Sequence, residues 1–301
     1  MNLTSPREIK SLLKKHSAQP QKGLGQRFLI DKKALRKILA AANLKPGDTI
    51  LEIGPGIGTL TQELAKRARK VVAIEKDPKM VEILKETLKT FKNTKIILGD
   101  ILKINTRYYI QDTKYKVVAN LPYYITSPVI RKFLELAEVR PLQMVLMVQK
   151  EVAQRIVARP PESKRINPLL RPSLPLGHMN LLAVSVQFYA KPEIISYVSK
   201  KSFWPSPKVD SAILKISAIN QRRKSAFNQR FFKIVKAGFS QPRKQLLNNL
   251  SKKLKLDKEK VKLWLQRNKI KPVQRAETLA IKDWINLTKS YQFISNQLSS
   301  I

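Results

Sequence analysis

The chain contains no cysteine. Disulfides, thiol nucleophiles and cysteine metal sites are therefore excluded. It has two histidines, His16 and His178, far apart in sequence and in expected loops, where a solvated ring is the ordinary role. No cluster of metal-ligating residues and no Ser-His-Asp arrangement with supporting motifs is visible. No metal is expected, and the chemistry falls to a bound cofactor, with the protein supplying orientation and electrostatics. No apolar run reaches the roughly eighteen residues needed to span a bilayer. The N-terminus shows neither the apolar core nor the small-residue cleavage site of a signal peptide, so a cytoplasmic chain is expected. Acidic residues are scarce: 21 Asp and Glu stand against 59 Lys and Arg, for a formal charge of +38. Such a surface suits a polyanionic partner. The charge is dispersed rather than gathered on one amphipathic helix, which favours RNA over a membrane surface. Part of it is ordinary solvated surface.

The length allows two domains. Apolar runs near 49–53, 71–75, 95–98, 116–119, 142–148, 183–189 and 209–216 read as strands, alternating with helical segments until the last two. Strands that alternate with helices mean a mainly parallel α/β sheet. The last two runs, with no long amphipathic segment between them, are expected to pair antiparallel at one edge. Asn220 to Lys224 reads as a polar, basic linker, and residues 1–20 as a flexible arm without a packed pattern. Beyond the linker, 227–238, 243–254, 258–266 and 279–292 have the spacing of short amphipathic helices, with Asp257 and Pro272 among the boundary signals. Residues 220–301 carry 20 Lys and Arg against 4 Asp and Glu. Arg243 and Lys244, near the start of one such helix, read as phosphate contacts or as a solvated helix face.

Thr49-Ile50-Leu51-Glu52-Ile53 reads as a short buried strand. Gly54-Pro55-Gly56-Ile57-Gly58 follows, then a helical segment from Thr59. Strand, glycine turn and helix open a nucleotide-binding βα unit, and the glycines let backbone approach a ligand. Thr59 stands where the third glycine of the dinucleotide pattern would fall, and no Gly-Lys-Ser/Thr follows, so a P-loop is excluded. Glu75 ends the run Val71-Val72-Ala73-Ile74, about twenty residues past the glycines, where such folds place the carboxylate for ribose hydroxyls. Asp100 ends the run Ile96-Ile97-Leu98-Gly99, where a carboxylate or neighbouring backbone can accept from an adenine amine. Taken singly, either acid also reads as a solvated loop residue.

The run Lys116-Val117-Val118-Ala119 leads into Asn120-Leu121-Pro122-Tyr123. One amide side chain, a proline-restricted carbonyl and one aromatic face suit a planar base with an exocyclic amine. The Asn120 and Leu121 carbonyls can accept from the two amine hydrogens while the Tyr123 ring stacks on the base. Held in this way, the amine reacts as a neutral nucleophile without a strong base. The same residues also read as a strand ending in a proline turn, with Tyr123 in the core.

The segments Gly25–Leu29, Glu52–Thr61, Glu75, Gly99-Asp100, Asn120–Pro128, Gln149–Arg155 and Phe203–Ser211 together resemble KsgA-type small-subunit ribosomal RNA adenine dimethyltransferases, over about 23–284. The resemblance implies a class I (Rossmann-like) methyltransferase sheet of seven strands over 21–219 and a small basic helical RNA- and ribosome-binding domain over 220–301. It implies S-adenosylmethionine as cofactor, the small ribosomal subunit and its 16S rRNA as partner, and a monomer. The activity implied is dimethylation of two adjacent adenines near the 3′ end of that rRNA, in ribosome biogenesis. By position, Gly54 and Gly56 pass the methionine part of the cofactor, Glu75 holds the ribose and Asp100 the cofactor adenine. Leu29 covers the cofactor as part of an N-terminal flap. Asn120 and Leu121 accept from the target amine, with Pro122 in the motif, and Tyr123 and Phe203 sandwich the target base. Arg27 stands where the family usually has Asn, so that any contact with the cofactor would come through its backbone. A proline-rich stretch, 161–180, replaces a short turn and reads as a surface insertion, after which Ala183–Tyr189 resumes as a strand. Two alternatives remain: a large-subunit rRNA adenine methyltransferase of the antibiotic-resistance type, and a non-catalytic RNA-binding assembly factor on the same fold.

Overall fold

Short apolar strands that end in Gly, Glu or Asn build the sheet that organises the functional end of the molecule. The computed structural model describes residues 1–112, 114–160, 179–220 and 225–295. The chain divides into two units, residues 1–153 with 190–221, and residues 154–189 with 222–301.

The first unit contains a seven-stranded sheet of β1 (Thr49–Ile53), β2 (Lys70–Glu75), β3 (Thr94–Leu98), β4 (Lys116–Asn120), β5 (Gln143–Gln149), β6 (Lys191–Val198) and β7 (Ser211–Ser217). Their spatial order is β3-β2-β1-β4-β5-β7-β6. Strands β3 to β5 pair parallel across the sheet, while β7 is antiparallel to both β5 and β6. All five residues of β1 are buried, as befits a parallel strand covered on both faces. The crossovers include α3 (Thr59–Ala65), α4 (Pro78–Thr87) and α5 (Thr126–Arg131), while α2 (Lys32–Ala42) precedes the sheet and α6 (Lys150–Val157) follows β5. Asp31 caps α2 by accepting from the Lys33 and Ala34 N–H groups at 2.7 and 3.1 Å.

Residues 1–20 are not a flexible arm. They contain a helix, α1 (Pro6–Lys15). The Ser5 hydroxyl accepts from the Glu8 N–H at 3.4 Å, and Pro6 occupies the first turn, where it costs no hydrogen bond. Ile9, Leu12 and Leu13 are buried in one cluster with Ile57, Met80 and Ile83. Burial of this apolar stripe outweighs the charge of the segment.

Two further expectations are corrected. Ala183–Tyr189 is not a strand but most of α7 (Leu181–Tyr189), capped by Asn180, whose side-chain oxygen accepts from the Ala183 N–H at 2.8 Å. The strand that completes the seven is β6 instead, which lies between the last two predicted runs. The domain boundary is accordingly discontinuous rather than a single cut near residue 219. Residues 161–178 of the proline-rich insertion, with His178, and residues 221–224 of the linker lie outside the described residues.

The second unit is helical. Besides α7 it contains α8 (Ala226–Gly238), α9 (Leu246–Leu254), α10 (Lys258–Arg267) and α11 (Ile281–Ser295), close to the spans that the sequence spacing predicts. Phe231, Trp264 and Trp284 are its large buried side chains. Gly238 lies so close to Trp284 that an added Cβ would sit 2.5 Å from the indole.

Candidate active site

In an open α/β sheet the crevice forms beyond the carboxyl ends of strands at the point where strand order reverses. Here that point lies between β1 and β4. Gly54 follows β1, and a Cβ on it would meet the Pro122 ring at 3.5 Å. Gly56 has φ +58°, and a Cβ there would press on the Phe28 ring at 3.2 Å. Both glycines have positive φ, +66° and +58°, a conformation that disfavours a side chain at either position of the turn. One cavity is lined by Arg27, Leu29, Gly54, Gly56, Glu75, Asp100, Asn120, Leu121, Pro122, Tyr123 and Phe203. These are all the residues predicted from sequence for cofactor and target base, so the structure brings the whole set together.

Three carboxylates face this cavity in different electrostatic states. Glu75 ends β2, and its Oε2 accepts from the Gly56 N–H at 3.0 Å. Its Oε1 accepts from the Lys76 and Asp77 N–H groups at 2.8 and 2.9 Å. Burial pushes its pKa up despite these donors, with the nearby Asp77 charge adding to the effect. Asp100 accepts from the Leu102 N–H at 2.9 Å and pairs with Lys76 Nζ at 3.0 Å. Burial acts to raise it, but these two partners outweigh burial and hold its carboxyl below the usual range. Glu52 was missed as a site residue. It lies within β1, 1% exposed, and its Oε2 has no hydrogen-bond partner among the described residues. Burial pushes it up to about 8, opposed by the Thr61 hydroxyl and aided by the Glu75 charge. The available signal was a single charged residue inside an otherwise apolar strand.

Asn120 ends β4. Its Nδ2 donates to the Arg27 backbone carbonyl at 3.0 Å. That bond fixes the amide orientation, because only the nitrogen can donate, and leaves the side-chain oxygen free to accept from another group. Arg27 therefore contributes backbone to the site, to Asn120 rather than by a side-chain amide of its own. The Leu121 N–H still donates to the Met147 carbonyl at 3.2 Å, after which Pro122 ends the ladder. The Tyr123 hydroxyl shares a 2.7 Å hydrogen bond with the Ser211 hydroxyl at the start of β7, and burial raises the phenol pKa. Leu29 pairs with Phe203 in a two-residue antiparallel ribbon, Phe28–Leu29 with Phe203–Trp204. Both Leu29 and Phe203 are buried at 3% exposure, so they form a wall rather than a projecting face. Lys76, Tyr124 and Phe28 also line the cavity and were not singled out from sequence.

Arg243 and Lys244 belong to the second unit, in the exposed turn before α9, where the Lys244 N–H donates to the Gln241 carbonyl at 3.0 Å. Among the described residues no group of three or more His, Asp or Glu side chains could hold a metal ion, and no helix is long and apolar enough to cross a membrane.

The sheet order, the glycine turn after β1 and a carboxylate at the end of β2 define a class I methyltransferase, an enzyme that draws its methyl group from S-adenosylmethionine. The cavity suits that cofactor: its lining joins the buried carboxylate of Glu52, which can meet positive charge, to the glycine turn after β1. The family model described as ribosomal RNA adenine dimethylase matches residues 17–292, and the chain belongs to that family. It is 45% identical over 289 residues to the ribosomal RNA small subunit methyltransferase A of Dehalococcoides mccartyi, covering 94% of this chain and 92% of that protein. Its identity to the Clostridioides difficile protein of the same name is 39% over 303 residues, with 99% of each covered. The crystal structure of a dimethyladenosine transferase from Plasmodium falciparum superposes with a TM-score of 0.67 at 26% identity, covering 89% of this chain and 98% of that one.

Proposed function

We propose that this protein transfers methyl groups from S-adenosylmethionine to the exocyclic amines of two adjacent adenines near the 3′ end of 16S rRNA in the small ribosomal subunit. The observation that carries the reading is the Asn120 amide, tied through its nitrogen to the Arg27 carbonyl. The small-subunit name shared by relatives at 39–45% identity supports this substrate over a large-subunit one. The intact cavity supports catalysis over a purely binding role. The protein acts as a cytoplasmic monomer without a metal.

Bound in the cavity, S-adenosylmethionine supplies a methyl group on a positively charged sulfur. Glu75 would accept from its ribose hydroxyls and Asp100 from its adenine amine, while Gly54 and Gly56 would line its methionine end beside Glu52. Leu29 and Arg27 form the cover. The target adenine stacks on Tyr123, with Phe203 closing the opposite side. The Asn120 oxygen and the Leu121 carbonyl accept the two amine hydrogens, which turns the nitrogen lone pair out of conjugation with the ring and toward the methyl donor. So held, the amine is a neutral nucleophile, and the proton released on its methylation would pass to water, so these residues need supply no strong base.

The direct test is to incubate the protein with labelled cofactor and unmethylated small subunits and to map the label. Two adjacent adenines are expected to carry it. Label on large-subunit RNA, or none, overturns the reading. Glu75→Ala should weaken cofactor binding by about 1–3 kcal/mol through lost hydrogen bonds to a charged acceptor. Calorimetry giving equal affinity for variant and wild type would remove Glu75 from the site.

Recognition of a whole subunit needs contacts remote from the chemistry, and the basic helical unit supplies them through phosphates rather than base edges. Neutralising Arg243 and Lys244 should weaken subunit binding and flatten its logarithmic salt dependence by about one unit per lost contact. Cofactor affinity should not change. An unaltered affinity and slope in the double variant would leave this turn a solvated surface only.

A further inference from the structure

A second cavity opens beside the first, on the same unit, and neither the cofactor nor the target base accounts for it. Its walls continue the same two segments. Gly99, Asp100 and Ile101 line the first cavity and Leu102 to Arg107 line the second. Likewise Asn120 to Ile125 line the first, and Ser127, Pro128, Arg131 and Lys132 the second. A strand of RNA that followed these segments out of the first cavity would reach the second.

Its composition suits a nucleotide. Lys103, Arg107, Arg131 and Lys132 line it, against Glu138 as the acidic residue of the lining. Arg131 shares its charge with Glu135 at 3.4 Å, whereas Lys103 and Arg107 reach the surface. Lys132 Nζ donates to the Ile104 carbonyl and so braces the two walls against each other. The same lining includes two exposed apolar side chains, Leu102 at 38% and Leu136 at 62%. Leu136 ends a π-helical turn, Lys132–Leu136, a local irregularity frequent at functional sites. Cations around a small apolar floor match a phosphate and a base face together, the combination by which single-stranded RNA is held.

We infer that this cavity holds the nucleotide adjacent to the target adenine, its base on the Leu102 and Leu136 surface and its phosphate at Lys103 and Arg107. The inference rests on the RNA methylation reading above and adds a second nucleotide subsite to it. For an enzyme acting on two neighbouring adenines, such a subsite parks one base while the other occupies the pocket, and it sets the register of the strand.

The test uses the full-length protein and unmethylated small subunits. A photoreactive benzophenone side chain in place of Leu136 is expected to cross-link to the nucleotide next to a methylated adenine. In parallel, the double substitution Lys103→Gln with Arg107→Gln should slow single-turnover transfer about tenfold or more and reduce the salt slope by up to about two units, with cofactor affinity unchanged. Cross-links to a ribosomal protein, to a distant rRNA segment or to nothing would overturn the subsite, as would a double variant with wild-type rate and slope. Methyl transfer by the wild-type protein to the same subunits checks the underlying reading separately. If the wild type transfers methyl to adenine and the cross-link falls elsewhere, only the subsite fails. If it transfers none, the methylation reading itself fails.

Discussion

Asn120→Ala should lower the single-turnover rate of methyl transfer at least about a hundredfold, because it removes the acceptor that orients the attacking amine. The affinity for small subunits should fall much less, since binding is spread over many phosphate contacts. The hydrogen bond from Asn120 Nδ2 to the Arg27 carbonyl makes a second readout available. Asn120→Asp keeps the shape but loses that donor and sets a carboxylate against a carbonyl oxygen. It should be nearly as slow as the alanine variant. A loss confined to subunit binding, with normal transfer once bound, would mean that the motif grips the substrate without orienting it.

Glu52 gives the second large effect, and it is one of pH. In the folded chain its pKa is raised from 4.5 to about 8, chiefly by burial. Between those values the folded state retains a proton that the unfolded state releases, so stability declines as pH rises. The decline begins near the unfolded value and is complete above the folded one, for a total on the order of 5 kcal/mol. Glu52→Gln stays neutral throughout. It should resemble the wild type within about 1 kcal/mol near pH 5 and exceed it by several kcal/mol near pH 9, as measured by denaturant unfolding without cofactor. A variant-minus-wild-type difference that is flat across this range would show that Glu52 is not held protonated. The same carboxyl should ionise when positive charge arrives beside it. Binding of S-adenosylmethionine near neutral pH is then expected to release a proton, read as a dependence of binding heat on the buffer.

The strands that carry the site were legible because each is short, apolar and closed by a distinctive residue: Ile53 before Gly54, Ile74 before Glu75, Ala119 before Asn120. The failures have physical causes. Leu181–Tyr189 is apolar nearly all round because it is a helix buried in its own unit, with Ala183, Val184 and Val186 inaccessible. A fully buried helix and a buried strand share one composition, and periodicity does not separate them. The segment 191–198 was passed over because Lys191, Pro192 and Glu193 do not look like sheet. It is an edge strand, where a proline is tolerated, and it carries a register irregularity between Ile194 and Ser196. In α1 the signals were present, a Ser5-Pro6 start and apolar residues at positions 9, 12 and 13, but the surrounding lysines hid them. Glu52, which the sequence did not single out, acts through burial, and Arg27, expected to contribute only backbone, offers its carbonyl to Asn120 rather than to the cofactor.

The insertion of β7 between β5 and β6 has a consequence for synthesis. Strand β5, Gln143–Gln149, is buried throughout its interior, and its partner on one side is supplied by a strand that begins at Ser211. While the chain emerges from the ribosome, β1 to β5 can pair in order, but the far edge of β5 stays open until β7 has been made. At about 5–20 residues per second that interval lasts several seconds. During it the nascent sheet presents Met144 to Val148 as an unpaired apolar edge, the kind of surface that recruits chaperones or a second chain. The late strand is therefore the step that ends the protein's exposure to aggregation, and changes that slow or misregister β7 should lower soluble yield before they affect the chemistry.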